Sequence, residues 1–189
     1  MIRRLFFELR YLLGNTPWDT GISPPELIAY MRSHSPGRAL DLGCGTGTNS
    51  MTMAGFGWTV LGIDISILAI YLACRKARSS SADVRFICGD VTREGIEELP
   101  FDLVLDIGCF HALPIEKKEA YVQRLMRSTR RGSDYLLYTH LNTGVQDQNH
   151  GPTEAALHEW LEPLFEFVDV SYGTDHQKTS AWICATRIT

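Results

Sequence analysis

The sequence predicts an α/β fold, a parallel sheet wrapped on both faces by helices and closed at one edge by an antiparallel pair. Three observations carry this. Between Arg38 and His140, short apolar runs alternate with helical patterns, which is how βαβ units read in sequence. The stretch "ALDLGCGTGTNS", Ala39 to Ser50, ends an apolar run in an acid and three alternating glycines, so the backbone is bare where a strand turns into a helix. Beyond His140 stand two β-rich runs, "LFEFVDVSY" and "SAWICATRI", separated by "GTDHQKT", which suits a hairpin.

The elements follow in order. "MIRRLFFELRYLL" has the start of a signal sequence, but Glu8 and Arg10 interrupt it and no small-residue cleavage site follows, so it reads as an N-terminal helix or arm. "RALDL" is the first strand, with a short helix near Thr48–Ala54. "TVLGID" is the second, after which Ser66 caps a helix through about Ala77. "VRFICGD" and "FDLVLDIG" are the third and fourth strands, and Pro114–Arg130 is a long amphipathic helix. "DYLLYTH" is the fifth strand; the polar stretch "LNTGVQDQNHGPT" reads as a loop, followed by a helix near Glu154–Leu161.

Composition narrows the function classes. A chain of 189 residues with 44% hydrophobic and 21% charged residues is expected to form one domain with an adequate core. The formal net charge is −4 with no long basic run, which argues against a nucleic-acid partner. The five cysteines are scattered without a CxxC pair, so neither a metal site nor a disulfide framework is expected, and a reducing cytoplasm fits. No segment is long enough to span a membrane, and no membrane partner is expected.

The glycine turn reads Asp41-Leu42-Gly43-Cys44-Gly45-Thr46-Gly47-Thr48. A dinucleotide fingerprint wants G-x-G-x-x-G, but Thr48 stands at its third glycine, and no Lys-Ser/Thr follows to make a phosphate loop. Asp41 decides the matter. A pyrophosphate beside this carboxylate would be repelled by roughly 3 kcal/mol at an effective dielectric near 20, and a cationic ligand attracted by a similar amount. S-adenosylmethionine, which carries a sulfonium and an ammonium but no phosphate, fits better than a dinucleotide. Its carboxylate can use the exposed N–H groups of the next helix. Asp64 ends the second strand, where a carboxylate can accept both hydroxyls of a ribose. Asp90 follows the third strand in "ICGDV", where it can accept from an adenine amine while Val91 packs on the ring. Taken singly, each acid also reads as a turn former.

"LDLGCGTG", "VLGIDIS", "ICGDV" and "FDLVLDIGCFHAL", in this order and spacing, resemble the class I S-adenosylmethionine-dependent methyltransferases. The resemblance implies a Rossmann-like, doubly wound sheet of seven strands in the order 3-2-1-4-5-7-6, the seventh antiparallel. It implies S-adenosyl-L-methionine as cofactor and S-adenosylhomocysteine as product. It divides the single domain into an N-terminal arm or lid (1–37), a cofactor-binding core (38–140) and an acceptor-side loop, helix and hairpin (141–189). The cofactor-binding positions it implies are Trp18, Asp41, Gly43, Cys44, Gly45, Gly47, Asp64, Ile65, Asp90, Val91 and Asp106.

"NTPWDTGISPPEL", Asn15 to Leu27, is similar to a segment of the thiopurine, thiol/halide and tellurite-resistance branch, in which an aromatic residue of the arm covers the cofactor; Trp18 is the match. A histidine after the fourth strand recurs there too, and His111 would face the methyl group as the catalytic residue, either as a base or as an N–H donor that orients the acceptor. The loop carrying His140, Asn142, Gln146, Asp147 and His150 borders the acceptor pocket in this fold. "DIGC" stands where amino-methylating enzymes of nucleic acids and proteins often carry "NPPY" or "DPPY", so a small-molecule acceptor is expected, with the protein a monomer or weak dimer. Two alternatives stay open: a non-catalytic cofactor-binding module acting through a partner, and a nicotinamide-dependent oxidoreductase.

Overall fold

The computed structural model describes residues 2–80, 82–93, 100–144 and 151–189. In chain order it contains α1 (Ile2–Leu12), α2 (Pro25–Ser33), β1 (Arg38–Leu42), α3 (Thr48–Gly55), β2 (Thr59–Asp64), α4 (Ile67–Arg78), β3 (Val84–Cys88), β4 (Phe101–Ile107), α5 (Cys109–Ala112), α6 (Ile115–Ser128), β5 (Thr129–His140), α7 (Glu154–Leu161), β6 (Phe165–Asp175) and β7 (Lys178–Arg187). The strands hydrogen-bond in the order β3-β2-β1-β4-β5-β7-β6, with β7 antiparallel to β5 and β6, which is the predicted topology. The chain packs as two compact units, residues 1–91 and 92–189.

In the first unit β1, β2 and β3 are parallel. Ala39, Leu40 and Leu42 of β1 and Val60, Leu61 and Ile63 of β2 are all buried, so successive side chains on both faces are covered, as a parallel sheet requires. α4 begins where predicted: the Ser66 hydroxyl accepts from the Ala69 N–H at 3.1 Å. α2 starts on Pro25, whose missing N–H costs nothing at that position, and buries Leu27, Tyr30 and Met31. Glu8 ties α1 to the start of α4. Glu8 accepts from the Ile67 N–H at 2.5 Å, the Leu68 N–H at 3.2 Å and the Ser66 hydroxyl at 3.0 Å, supplying the acid that the first turn of α4 lacks in its own sequence.

In the second unit β4 and β5 are parallel, and β7 lies antiparallel between β5 and β6. Phe101, Leu103, Leu105, Phe110, Tyr121, Tyr135 and Phe165 are buried there. Two boundaries differ from expectation. The long helix stops at Ser128, not Arg130, and β5 starts at once with Thr129 opposite Phe101. The register then shifts, so that Asp134 stands opposite Leu103, and the slack is taken up by Gly132 at φ 83° and by the Ser133 hydroxyl donating to the Phe101 carbonyl at 2.7 Å. The hairpin also closes more tightly than "GTDHQKT" suggests. Gly173 to Asp175 pair with Ser180 to Lys178, leaving His176 and Gln177 as a two-residue turn with φ 47° and 65°.

Candidate active site

Within the first unit the glycine turn leaves β1 and immediately contacts the end of β2. The N–H groups of Gly43 and Cys44 both donate to the Ile63 carbonyl, at 2.8 and 3.0 Å. Gly45 N–H donates to Asp64 Oδ2 at 2.9 Å, while Asp64 Oδ1 accepts from Ser66 N–H at 2.8 Å. One carboxylate therefore ties the turn, the end of β2 and the start of α4 together. It is 8% exposed, and burial raises its pKa against the pull of those N–H groups. Gly47 cannot carry a side chain: its φ is 80°, and a Cβ there would sit 2.6 Å from Phe86 Cζ.

The other acids of this edge behave differently. Asp41 is buried at 2% exposure, and the Ser50 hydroxyl of α3 donates to its Oδ2 at 2.6 Å. Gly89 N–H donates to the Asp64 carbonyl at 2.9 Å, which brings the segment after β3 to the end of β2. Asp90 on that segment is half-buried, as is Ile65, while Val91 and Cys44 are buried.

The arm meets the turn through Tyr11, which sequence reading did not single out. Tyr11 of α1 lies over Gly45, where its hydroxyl would be 2.9 Å from an added Cβ. Trp18 is 46% exposed and donates its indole N–H to that hydroxyl at 3.2 Å, with the Arg10 guanidinium 5.1 Å from its ring. The aromatic ring against the turn is thus Tyr11, with Trp18 as its partner. Burial, and then the nearby Asp64 carboxylate, push the Tyr11 phenol well above its ordinary pKa. Asp19 accepts from the Thr46 hydroxyl at 2.8 Å, and Lys76 donates to Thr46 Oγ1 at 2.6 Å.

The second unit carries His111 on α5. Asp106 sets that short helix. Its carboxylate accepts from the N–H groups of Cys109 at 2.8 Å and Phe110 at 3.0 Å and from the Tyr121 hydroxyl, which lies 3.0 Å from that of Tyr135. Asp106 is 0% exposed, and burial lifts its pKa to about 6. The Asp106 side chain is committed inside the fold, as the cap of the helix that bears His111. Phe110 O also accepts from the buried Lys118 ammonium.

His111 itself accepts, at Nδ1, the main-chain N–H of His140 at 3.0 Å. The two imidazoles stack with centroids 4.5 Å apart and planes 14° apart. His140 Nε2 lies 3.1 Å from Asp175 Oδ2, which the Tyr138 hydroxyl reaches at the same distance. Burial works against the Asp175 carboxylate, but the hydrogen bonds from His140 and Tyr138 and the nearby His176 hold its pKa below the ordinary value. Of the polar loop, Asn142 donates its N–H to the Pro152 carbonyl at 2.9 Å; Gln146, Asp147 and His150 lie outside the described residues.

Residues 39–132 match the family described as methyltransferase domain. The chain is 30% identical over 175 residues to the probable thiol methyltransferase 2 of Arabidopsis thaliana, covering 87% of this chain and 75% of that one. It is 27% identical over 165 residues to the 2-heptyl-1-hydroxyquinolin-4(1H)-one methyltransferase of Mycobacteroides abscessus, covering 85% and 73%. Its fold is similar to that of the Burkholderia thailandensis 1,6-didemethyltoxoflavin-N1-methyltransferase, solved with bound 1,6-didemethyltoxoflavin and S-adenosylhomocysteine, with a TM-score of 0.82 at 21% identity over 100% of this chain and 88% of that one.

Proposed function

Since the chain belongs to the class I S-adenosylmethionine-dependent methyltransferases, we propose that it methylates a small, diffusible acceptor and that Asp64 and the glycine turn are the heart of its cofactor site. The carrying observation is the bond from Gly45 N–H to Asp64 Oδ2, which joins the bare turn and the ribose-accepting acid into one cradle. The non-catalytic and nicotinamide readings give way to methyl transfer.

The residues present fit the cofactor. Asp64 would hold the ribose hydroxyls, Asp90 the adenine amine, and Ile65 and Val91 the faces of the ring. Gly43, Cys44, Gly45 and Gly47 would admit the amino-acid portion to bare backbone, with the Asp41 charge nearby. Tyr11 and Trp18 would cover the turn as a lid. When bound, S-adenosylmethionine would supply a sulfonium-borne methyl group for an acceptor lone pair, leaving S-adenosylhomocysteine. What the chain contributes is alignment and exclusion of water. His111 serves on the acceptor side.

A thiol and a hydroxyl-bearing heterocycle appear in the names of two relatives, and we read this acceptor as the same kind of small heteroatom nucleophile. No helix among the described residues is long and apolar enough to cross a membrane. The net charge of −4 agrees with a partner other than nucleic acid. The test is incubation with methyl-labelled cofactor and a panel of thiols, hydroxy-heterocycles, phenols, amines and halides. Label is expected in at least one small product; label transferred only to protein or RNA would overturn the reading.

A further inference from the structure

We propose that the outer face of α1 docks on an anionic phospholipid surface, with the helix lying in the plane of the interface and its leucines in the outermost hydrocarbon. α1 has two apolar faces, and the first unit uses one of them. Phe7 meets Trp18 edge-on, Tyr11 stands over Gly45 and Glu8 caps α4, all on the side turned to the rest of the unit. The opposite side carries Leu5, Leu9 and Leu12 at i, i+4 and i+7, with Phe6 and Leu13 one row across, and each is between 52% and 72% exposed. Leu13 N–H donates to the Leu9 carbonyl at 3.0 Å, so the stripe continues unbroken past Leu12. Five large apolar side chains on one stripe leave water only when something apolar covers them.

Charge decides what covers them. α1 holds Arg3, Arg4 and Arg10 against a single acid, Glu8, in a chain whose formal net charge is −4. Glu8 is turned to α4, whereas the arginines border the stripe, Arg3 and Arg10 along one edge and Arg4 along the other. The Arg10 guanidinium carbon lies 5.8 Å from the Phe6 ring, and Arg3 Nη1 and Arg10 Nε find no hydrogen-bond partner among the described residues. Cations along both edges of a leucine stripe, with the half-exposed Trp18 beside Arg10, place guanidinium groups at the depth of lipid phosphates and the apolar row beneath them. A second copy of the chain would bring arginine edges against arginine edges. A specific peptide would be recognised partly by hydrogen bonds, and Leu5, Phe6, Leu9, Leu12 and Leu13 offer no polar side-chain atom. The expectation of no membrane partner rested on the want of a spanning segment. That no helix among the described residues is long and apolar enough to cross a membrane does not bear on a helix that lies in the interface.

The test is flotation of the full chain with vesicles of phosphatidylcholine and phosphatidylglycerol in equal parts, against vesicles of phosphatidylcholine alone. The protein should float with the mixed vesicles and at least about tenfold less with the neutral ones. Raising the salt from about 0.1 to 1 M, which shortens the screening length from about 10 to 3 Å, should weaken the binding. Arg3→Gln and Arg4→Gln should each lower the partition coefficient by about fivefold. Leu5→Ser/Leu9→Ser/Leu12→Ser should lower it by about a hundredfold or more, with the circular dichroism of wild type. Should that triple variant lose its fold, the two arginine variants carry the test, since they leave the apolar stripe intact. Equal partition to both kinds of vesicle, or partition that the leucine variant leaves unchanged, would overturn the proposal. So would no partition at all, which leaves the stripe to a protein partner. A chain that ignores vesicles but sediments as a dimer, split to monomers in the leucine variant, would give the face to a second copy and overturn it as well.

Discussion

Two buried aspartates that look alike in sequence do different work, and substitution separates them. Asp64 and Asp106 each stand near the end of an apolar strand. Asp64 keeps 8% exposure beside a bare glycine turn, whereas Asp106 has none and is spent on two main-chain N–H groups and a tyrosine. Asp64→Asn preserves shape and removes the charged acceptor proposed for the ribose. S-adenosylhomocysteine affinity should fall by about 2 kcal/mol, read by calorimetry, and an unchanged affinity would remove Asp64 from the site. For Asp106 the observable is pH. Its pKa is raised from 3.8 to about 6 by burial, so the folded state binds this proton more tightly than the unfolded chain does. The resulting stability is complete below about pH 4 and is lost as pH rises toward 6, a change of about 3 kcal/mol at about 1.4 kcal/mol per pH unit. Denaturant titrations should show the wild type losing that amount relative to Asp106→Asn over this window. Parallel curves would show that Asp106 is ionised throughout.

The strands and helices of the sheet were legible because each is announced locally. "RALDL", "TVLGID" and "VRFICGD" are apolar runs bounded by turn residues, and Ser66 caps α4 as its position suggests. The junction after α6 was not legible, because "TRRGS" is polar, carries no alternation and takes its strand geometry only from pairing with β4. The role of α1 was hidden more deeply. Its anchor is Glu8, whose partners lie 58 to 60 residues further along the chain, so no pattern within the helix points to them. Glu8→Gln keeps the side chain's size but removes the negative charge from the N-terminus of α4 and turns one of two accepting oxygens into a donor amide. It should cost about 0.5–1 kcal/mol in a buried-edge setting and loosen α1 with the arm behind it. Limited proteolysis is expected to cut Glu8→Gln faster than wild type near residues 10–25, with S-adenosylhomocysteine suppressing the cuts in both. Equal cutting of the two proteins would mean that α1 is held by its apolar contacts and not by the cap.

At the scale of the whole chain, the sheet order and the strand-end places of the acids could be read before the structure, because topology places strand ends. Asp41 and Asp64 fall there by register, Asp41 opposite Gly62 and Asp64 opposite Cys88, and Asp90 follows just after β3 ends at Cys88. Contacts that depend on folding back could not be read: Tyr11 over Gly45, Asp19 on Thr46, and His140 on His111. The same geometry sets what the fold should select from solution. The turn sets the carboxylates of Asp41 and Asp64 beside any incoming phosphate, and the nearby Lys76 is already bonded to Thr46. A ligand that binds only the native state at a hundred times its dissociation constant stabilises it by about 2.7 kcal/mol. In a chain of this size that amounts to a rise in Tm of about 5–11 °C. S-adenosylmethionine and S-adenosylhomocysteine should each produce such a rise, and NAD and NADP none at equal concentration. The two shifts should shrink together in Asp64→Asn, since the ribose is common to both ligands and the methyl group is not. A larger loss for S-adenosylmethionine than for its product would place the Asp64 charge near the sulfonium instead of the ribose.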